Sequence, residues 1–480
     1  MARAIVFELN EADAHFMERF IGALPMFARM RREGAFVRTR IPGFDRESPR
    51  NWRSISPWII WPSVYTGLSP AEHGIVAFGQ DPASLVGRCV WDVLAKEGVR
   101  VGVMGSLLSY PPRKDAAFHL PETLADDDAC VPERARPLQR FLVETSRNYS
   151  EHVSLKDGLK LALDLVRSVR SGVHPRTAAR TLAQLPVERL AGSHRRADRA
   201  HLQADLVIDA FESLAREHRP GFACMHSNHV AFVQHRFWRA AEPHRFGAAL
   251  SPTDARFFKT HEELARWEAH FSRAIEDAFV RTDAMLARLA KLLDPDGVLV
   301  LATALGQRPF DPSRGEIFNP VVRLSRADEL LDAAGVPPRV IRHQMNPDLT
   351  LTFGDEAAAI AGERACAAFE ASGEKLFYVQ RKGAQVFLEL ELHPRTSLTA
   401  QVSGTGRPLD HFISLAPTPD QSTAQHTDQG FLLAWSPGGR VRALAESVDV
   451  TAIAPTLLSL YNIAPQPWMK DRQLAFSAPS

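Results

Sequence analysis

Carboxylates, amides and imidazoles gather at the ends of expected strands in this sequence. Glu8, Asn10 and Glu11 follow one apolar run, His226, Asn228, His229 and His235 follow another, and His426 stands just before a third. In open α/β sheets a ligand sits outside the carboxyl ends of the strands, so chemistry is expected there. Imidazole and carboxylate together are the donor set of a zinc-type cation. Imidazole without metal can still carry acid–base chemistry near neutral pH. A purely structural chain needs no such collection, although it does not forbid one.

The elements that must hold these groups can be read in order. Residues 4–9 form a short buried-strand pattern, 13–33 a helix pattern closed by Gly34, and 35–40 a partly alternating strand. A polar loop covers 42–56, and Leu68-Ser69-Pro70 offers a helix cap with proline in the first turn. A short helix over 91–97, stopped by Gly98, leads into a strand over 99–104. Strand, helix, strand at this spacing begins an α/β layered domain. Residues 113–193 are rich in charge and helix formers and predict a helical insertion over the sheet. A long helix over 194–217, a strand over 221–225, helices over 260–293 and a strand over 298–303 continue the core. Residues 345–415 change to short strands, with Arg381-Lys382-Gly383 as a hairpin turn, and predict a small β-rich subdomain. The chain returns to the sheet with 430–435. The core α/β domain is thus expected from 1–112, 194–344 and 416–480.

The chain has 480 residues, with 57 basic and 56 acidic side chains and a net charge of +1. That balance gives no electrostatic reason to expect nucleic acid or an acidic membrane as partner, and a small-molecule ligand is expected instead. Cys89, Cys130, Cys224 and Cys366 lie far apart, which excludes a disulfide framework and a thiolate zinc site. There is no long apolar segment at the start and none of the roughly 20 residues needed to span a bilayer. A cytoplasmic protein is the expectation.

The run Trp61-Pro62-Ser63-Val64-Tyr65-Thr66-Gly67-Leu68-Ser69-Pro70-Ala71-Glu72-His73-Gly74-Ile75 resembles a signature of the alkaline-phosphatase-like superfamily. The branch it is most similar to is that of the type I phosphodiesterases and nucleotide pyrophosphatases. Leu24-Pro25-Met26-Phe27, Glu97-Gly98-Val99-Arg100-Val101-Gly102-Val103 and Ile453-Ala454-Pro455-Thr456-Leu457-Leu458 resemble further family segments. Pro467-Trp468-Met469-Lys470-Asp471-Arg472 resembles the closing one, with Asp471 where glycine is usual. The resemblance implies an alkaline-phosphatase-like layered sheet flanked by helices. It also implies hydrolysis by two zinc-type ions around a Ser or Thr nucleophile.

Carried over residue by residue, that site is only partly present. Glu8 is the substitute for the Asp that ends strand one, either as a ligand or as a hydrogen-bonded carboxylate. Ser56, in Ser54-Ile55-Ser56-Pro57-Trp58, is the candidate nucleophile, with a plain loop serine as the alternative. The D-x-x-x-H motif keeps His235, but its Asp has become Ala231; Asn228 and His229 lie near enough in sequence to supply a different ligand. Thr303-Ala304-Leu305-Gly306-Gln307 replaces the D-H-G motif, and neither Ala304 nor Leu305 can bind a metal. His426, in His426-Thr427-Asp428-Gln429-Gly430, fits the last motif. These departures imply a diverged enzyme that uses one divalent ion (zinc, manganese or iron) or none on a phosphate-type or other anionic substrate. A non-catalytic ligand-binding member, or a transferase or lyase on the same scaffold, stays open.

Overall fold

The main sheet is built on a strand that is apolar on both faces. In the computed structural model, β1 (Ala2–Leu9) sends Ile5, Phe7 and Leu9 into one hydrophobic cluster and Ala4 and Val6 into another. That double burial is why the strand reads as a continuous apolar run rather than an alternating one. The model describes residues 2–44, 55–77, 80–147, 155–191, 196–246, 250, 254–256, 258–310, 322–335, 337–343, 348–393, 396–415, 422–470 and 473–478.

The other strands that matter to the site are β2 (Ala35–Arg40), β3 (Val101–Met104), β4 (Phe118–Leu120), β5 (Phe222–Ser227), β6 (Leu293–Ala302), β7 (Gly306–Pro309), β8 (Ala424–Thr427), β9 (Gln429–Trp435) and β10 (Ser447–Asp449). Seven of them and β1 form one eight-stranded sheet in the order β10-β2-β9-β6-β1-β5-β3-β4. From β6 to β4 the pairing is parallel, whereas β9 runs antiparallel to both β6 and β2. β7 and β8 form a separate antiparallel ribbon in which His426 lies opposite Gln307.

Helices cover both faces of the sheet. On one side lie Phe27, Phe211, Trp238 and Phe279; on the other lie Trp61, Trp91 and Leu457. The helix Pro57–Thr66 is buried along its whole length, and Gly67 ends it at φ 68°. A Cβ on Gly67 would stand 3.0 Å from the Met469 side chain, so glycine is required there by both conformation and space. The next turn, Pro70–His73, has Ser69 and Glu72 as a reciprocal capping box. His73 is pinned beneath it: its Nδ1 accepts from the Ile75 N–H at 3.0 Å and its Nε2 lies 3.2 Å from Ser63 Oγ. Burial pushes that imidazole down to about 4, so it is neutral and structural.

Two expectations are corrected in detail. The helix expected over 13–33 is broken into Ala14–Phe20, a 3₁₀ turn Ile21–Ala23 and Pro25–Glu33. Pro25 starts the second helix because it has no N–H to lose, and the Asp283 carboxylate accepts from the N–H groups of Met26 and Phe27, both at 2.8 Å. The stretch expected to be helical from 113 contains β4, three residues too few to show a strand period, before the helices Arg136–Arg147, Leu155–Ser168 and Pro175–Ala191.

The β-rich region is a four-stranded antiparallel sheet, in the order Phe377–Lys382, Gln385–Leu390, Leu349–Thr352, Val340–His343. Gly383 makes its turn at φ 55°, and the helix Glu356–Ala367 packs on it around a separate apolar cluster. In the alternating stretch near 400, Gln401–Val402 pairs with Arg407–Pro408.

Candidate metal centre

Glu11 lies two residues past the end of β1. The ladder runs one step beyond the strand, with Asn10 N donating to Ser227 O at 3.0 Å, and then Glu11 takes a left-handed φ of 54°. That conformation is uncommon for a residue with a Cβ and needs support. Gln234, on the helix His229–Ala241, supplies it: its amide donates to Glu11 O at 2.9 Å and accepts from Asp13 N at 3.1 Å. The turn is thereby fixed against the helix that carries His235.

Four nitrogen atoms converge on the Glu11 carboxylate, which is 3 % exposed. His235 Nε2 lies 2.9 Å and His426 Nε2 3.1 Å from Oε2. Gln307 Nε2 donates to the same oxygen at 2.6 Å, and Asn10 Nδ2 donates to Oε1 at 2.8 Å. The two imidazole rings stand 5.2 Å apart, edge to face, and both are half-buried. Burial pushes the Glu11 carboxyl up, but the charges of His426 and His235 outweigh it and hold the group well below the ordinary carboxylate range.

Orientation is set one layer further out. His235 Nδ1 lies 2.9 Å from the carbonyl of Ala424, which can only accept, so Nδ1 carries a proton and Nε2 is the nitrogen turned to Glu11. Asn10 is equally fixed, because its Oδ1 accepts from Trp61 Nε1 at 2.8 Å and its Nδ2 also reaches Asn228 Oδ1 at 2.7 Å. Gln307 Nε2 has a second acceptor in Ala231 O at 3.1 Å, while its Oε1 is buried without a partner among the described residues.

The ligand atoms of Glu11, His235 and His426 lie within 4.8 Å of one another, so these three could hold one divalent cation. The donor set fits: one carboxylate and two imidazoles suit zinc, manganese or iron. The carbonyl behind His235 is the usual outer partner of a ligating histidine.

Glu8 is not part of this group, and strand geometry explains why. It shares a face of β1 with Ala4 and Val6, toward the helix Pro57–Thr66, whereas Val230, Val233 and Trp238 of the His235 helix pack on the other face. Its Oε2 accepts from Tyr65 OH and its Oε1 from Ser106 Oγ, both at 2.9 Å. His226 Nδ1 approaches Glu8 at 3.4 Å without forming a hydrogen bond. His229 is also turned away from the cluster. Its Nδ1 meets Ser227 Oγ at 2.8 Å, its Nε2 meets Thr282 Oγ1 at 3.0 Å, and burial drives its pKa down to about 3. Asn228 acts through Asn10 rather than beside the imidazoles. Ser56 stands at the N-terminus of the helix Pro57–Thr66, half-buried and making no capping bond. Ala304 and Leu305 are fully buried in the apolar cluster with Val300 and Ala302.

Sequence reasoning noticed Glu11 as a strand-end carboxylate without assigning it the ligand role, and it missed Gln307. The available signal for Glu11 was parity: a carboxylate inside the strand belongs to one face, whereas one beyond its end is free to turn.

No curated protein sequence matches this chain. Two solved structures of phosphonoacetate hydrolase from Sinorhizobium meliloti 1021, in complex with phosphonoformate and with phosphonoacetate, are similar at 16 % identity. Each likeness covers 90 % of this chain and 89 % of the other, with TM-scores of 0.38 and 0.37. A likeness that loose carries no substrate from one chain to the other. The family model of the type I phosphodiesterases and nucleotide pyrophosphatases matches residues 4–395, and the chain belongs to that family, within the alkaline-phosphatase-like superfamily.

Proposed function

We propose that this chain is a diverged, hydrolase-like enzyme that acts on a small phosphate-type or other anionic substrate through a one-cation centre at Glu11, His235 and His426. The observation that carries the proposal is the convergence of one buried carboxylate and two half-buried imidazoles beyond the carboxyl ends of β1 and β5. A bound divalent ion would polarise a phosphoryl oxygen there. Glu11 would anchor the site, the Ala424 carbonyl would keep His235 in its ligating tautomer, and the exposed edges of both rings would face an anion. Ser56 is the proposed alcohol nucleophile, at a helix N-terminus suited to an anion. Glu8 is left out of the ligand set, since both of its oxygens already take hydroxyl donors.

A second reading rests on Gln307. Its amide at 2.6 Å, with that of Asn10, already satisfies Glu11 without an ion, as a metal-free anion-binding centre requires. Elemental analysis of the wild-type protein beside His235→Ala/His426→Ala distinguishes the two. The proposal expects about one zinc, manganese or iron per chain, lost in the double variant. It also expects hydrolysis of aryl phosphate esters that falls at least about a hundredfold in Ser56→Ala. Absence of metal from both proteins would favour the metal-free reading, and undiminished hydrolysis in Ser56→Ala would remove that serine from the proposal.

A further inference from the structure

The helix Leu155–Ser168 has more apolar surface than its neighbours cover. Leu161, Asp164, Leu165 and Ser168 form its buried face, toward the helices Arg136–Arg147 and Pro175–Ala191. Leu159, Leu163 and Val166 are spaced four and three residues apart, so they form one ridge on the opposite face. They are 73 %, 49 % and 55 % exposed, and Val169 continues the apolar surface at 38 %.

The surroundings of the ridge are basic. Lys160, Arg167 and Arg170 are exposed beside it, with Asp157 as the acidic neighbour, 3.2 Å from Lys160. Among the described residues, Arg167 and Arg170 have no ion-pair partner. Residues 155–191 hold seven lysines and arginines against three acidic residues, although the whole chain is almost neutral. An outer helix face in water is normally polar; an exposed apolar ridge flanked by cations is the pattern of a helix that lies in a lipid interface.

We propose that this face docks the protein reversibly onto an anionic lipid surface, with Leu159, Leu163 and Val166 entering the headgroup region and Lys160, Arg167 and Arg170 meeting lipid phosphates. No described helix is long and apolar enough to cross a membrane, so the contact is peripheral. Charge favours lipid over a second copy of the chain. A self-paired ridge would bring three cations against the same three, with Asp157 alone to offset them.

The test is sedimentation of the full chain with vesicles of phosphatidylglycerol and phosphatidylcholine at about 30:70, and with phosphatidylcholine alone. Binding to the anionic vesicles is expected to weaken on the order of twentyfold in Arg167→Gln/Arg170→Gln, from about fivefold per cation removed, and to fall as salt rises. The variant Leu159→Ser/Leu163→Ser/Val166→Ser changes exposed positions only, so it is expected to keep the wild-type circular dichroism and lose vesicle binding. The proposal is overturned by no binding to anionic vesicles, or by binding that this triple variant retains. It is equally overturned if light scattering shows the triple variant converting a dimer to a monomer, or if an acidic peptide competes for the ridge while vesicles do not.

Discussion

Replacing Glu11 with glutamine keeps the side chain's shape and removes its charge, and the hydrogen-bond polarity around it leaves the new amide no good orientation. Asn10 cannot turn over, because its Oδ1 accepts from Trp61 and its Nδ2 serves Glu11 and Asn228 together. If the glutamine oxygen faces Asn10, its NH₂ meets the NH₂ of Gln307; if it faces Gln307, its NH₂ meets that of Asn10. Either way two donors oppose each other in a buried site, at about 1–3 kcal/mol for the donor left unsatisfied. The lost charge-assisted bonds to the imidazoles bring the total to about 3–5 kcal/mol, the range for breaking a buried ionic contact. Urea unfolding at pH 7.5 measures the loss, and elemental analysis of the same samples reads whether the cation has gone. A Glu11→Gln protein within about 0.5 kcal/mol of wild type, still holding metal, would refute both the network and its role as a ligand set.

Two further predictions concern groups away from the centre. Glu122 accepts from Ser109 N, Ser109 Oγ and Tyr110 N, yet burial pushes its carboxyl up to about 7. Folded Glu122 therefore keeps its proton where the unfolded chain has released it, so stability falls as pH rises from the ordinary glutamate range to about 7 and then levels off. Glu122→Gln is expected to remove that slope and gain about 3 kcal/mol at pH 8.5 relative to pH 4.5, read by denaturant titration; parallel pH profiles would show the carboxylate to be ionised throughout. Gly430 lies between β6 and β2, and a Cβ there would stand 2.4 Å from Thr303 O and 2.8 Å from Thr39 Oγ1. Gly430→Ala should cost about 2–3 kcal/mol with a matching drop in melting temperature, and an unchanged melting temperature would contradict the packing.

The parts of this molecule legible in its sequence are those set by local pattern. The buried strand at 4–9, the capped turn at Ser69-Pro70 and the hairpin at Lys382-Gly383 each carry their own signal in apolar runs, proline and glycine. His235 and His426 could be picked out because the order of motifs along the chain assigns them. The carboxylate between them could not. Glu8 and Glu11 look alike in sequence, and only the strand's parity and a left-handed turn at a non-glycine residue decide which one faces the imidazoles. Gln307 was hidden for another reason: it follows Ala304 and Leu305, whose side chains mark the loss of a family motif and give no hint that an amide three residues later reaches Glu11.

The place of β9 in the sheet also sets a timetable for synthesis. β2 is complete by residue 40, but its neighbours in the sheet, β9 and β10, are not made until residues 429–435 and 447–449. The five parallel strands from β6 to β4 can associate once residue 302 has emerged, whereas β2 must wait, unpaired, for a strand from the far end of the chain. The ribbon that brings His426 to Glu11 ends two residues before β9 begins. Closure of the sheet and completion of the candidate metal centre are therefore one event, which follows synthesis of the five parallel strands by more than 120 residues. Such long-range pairing is slow and leaves strand edges open meanwhile, so a growing chain depends on residues 424–435 both to cover its core and to assemble its site.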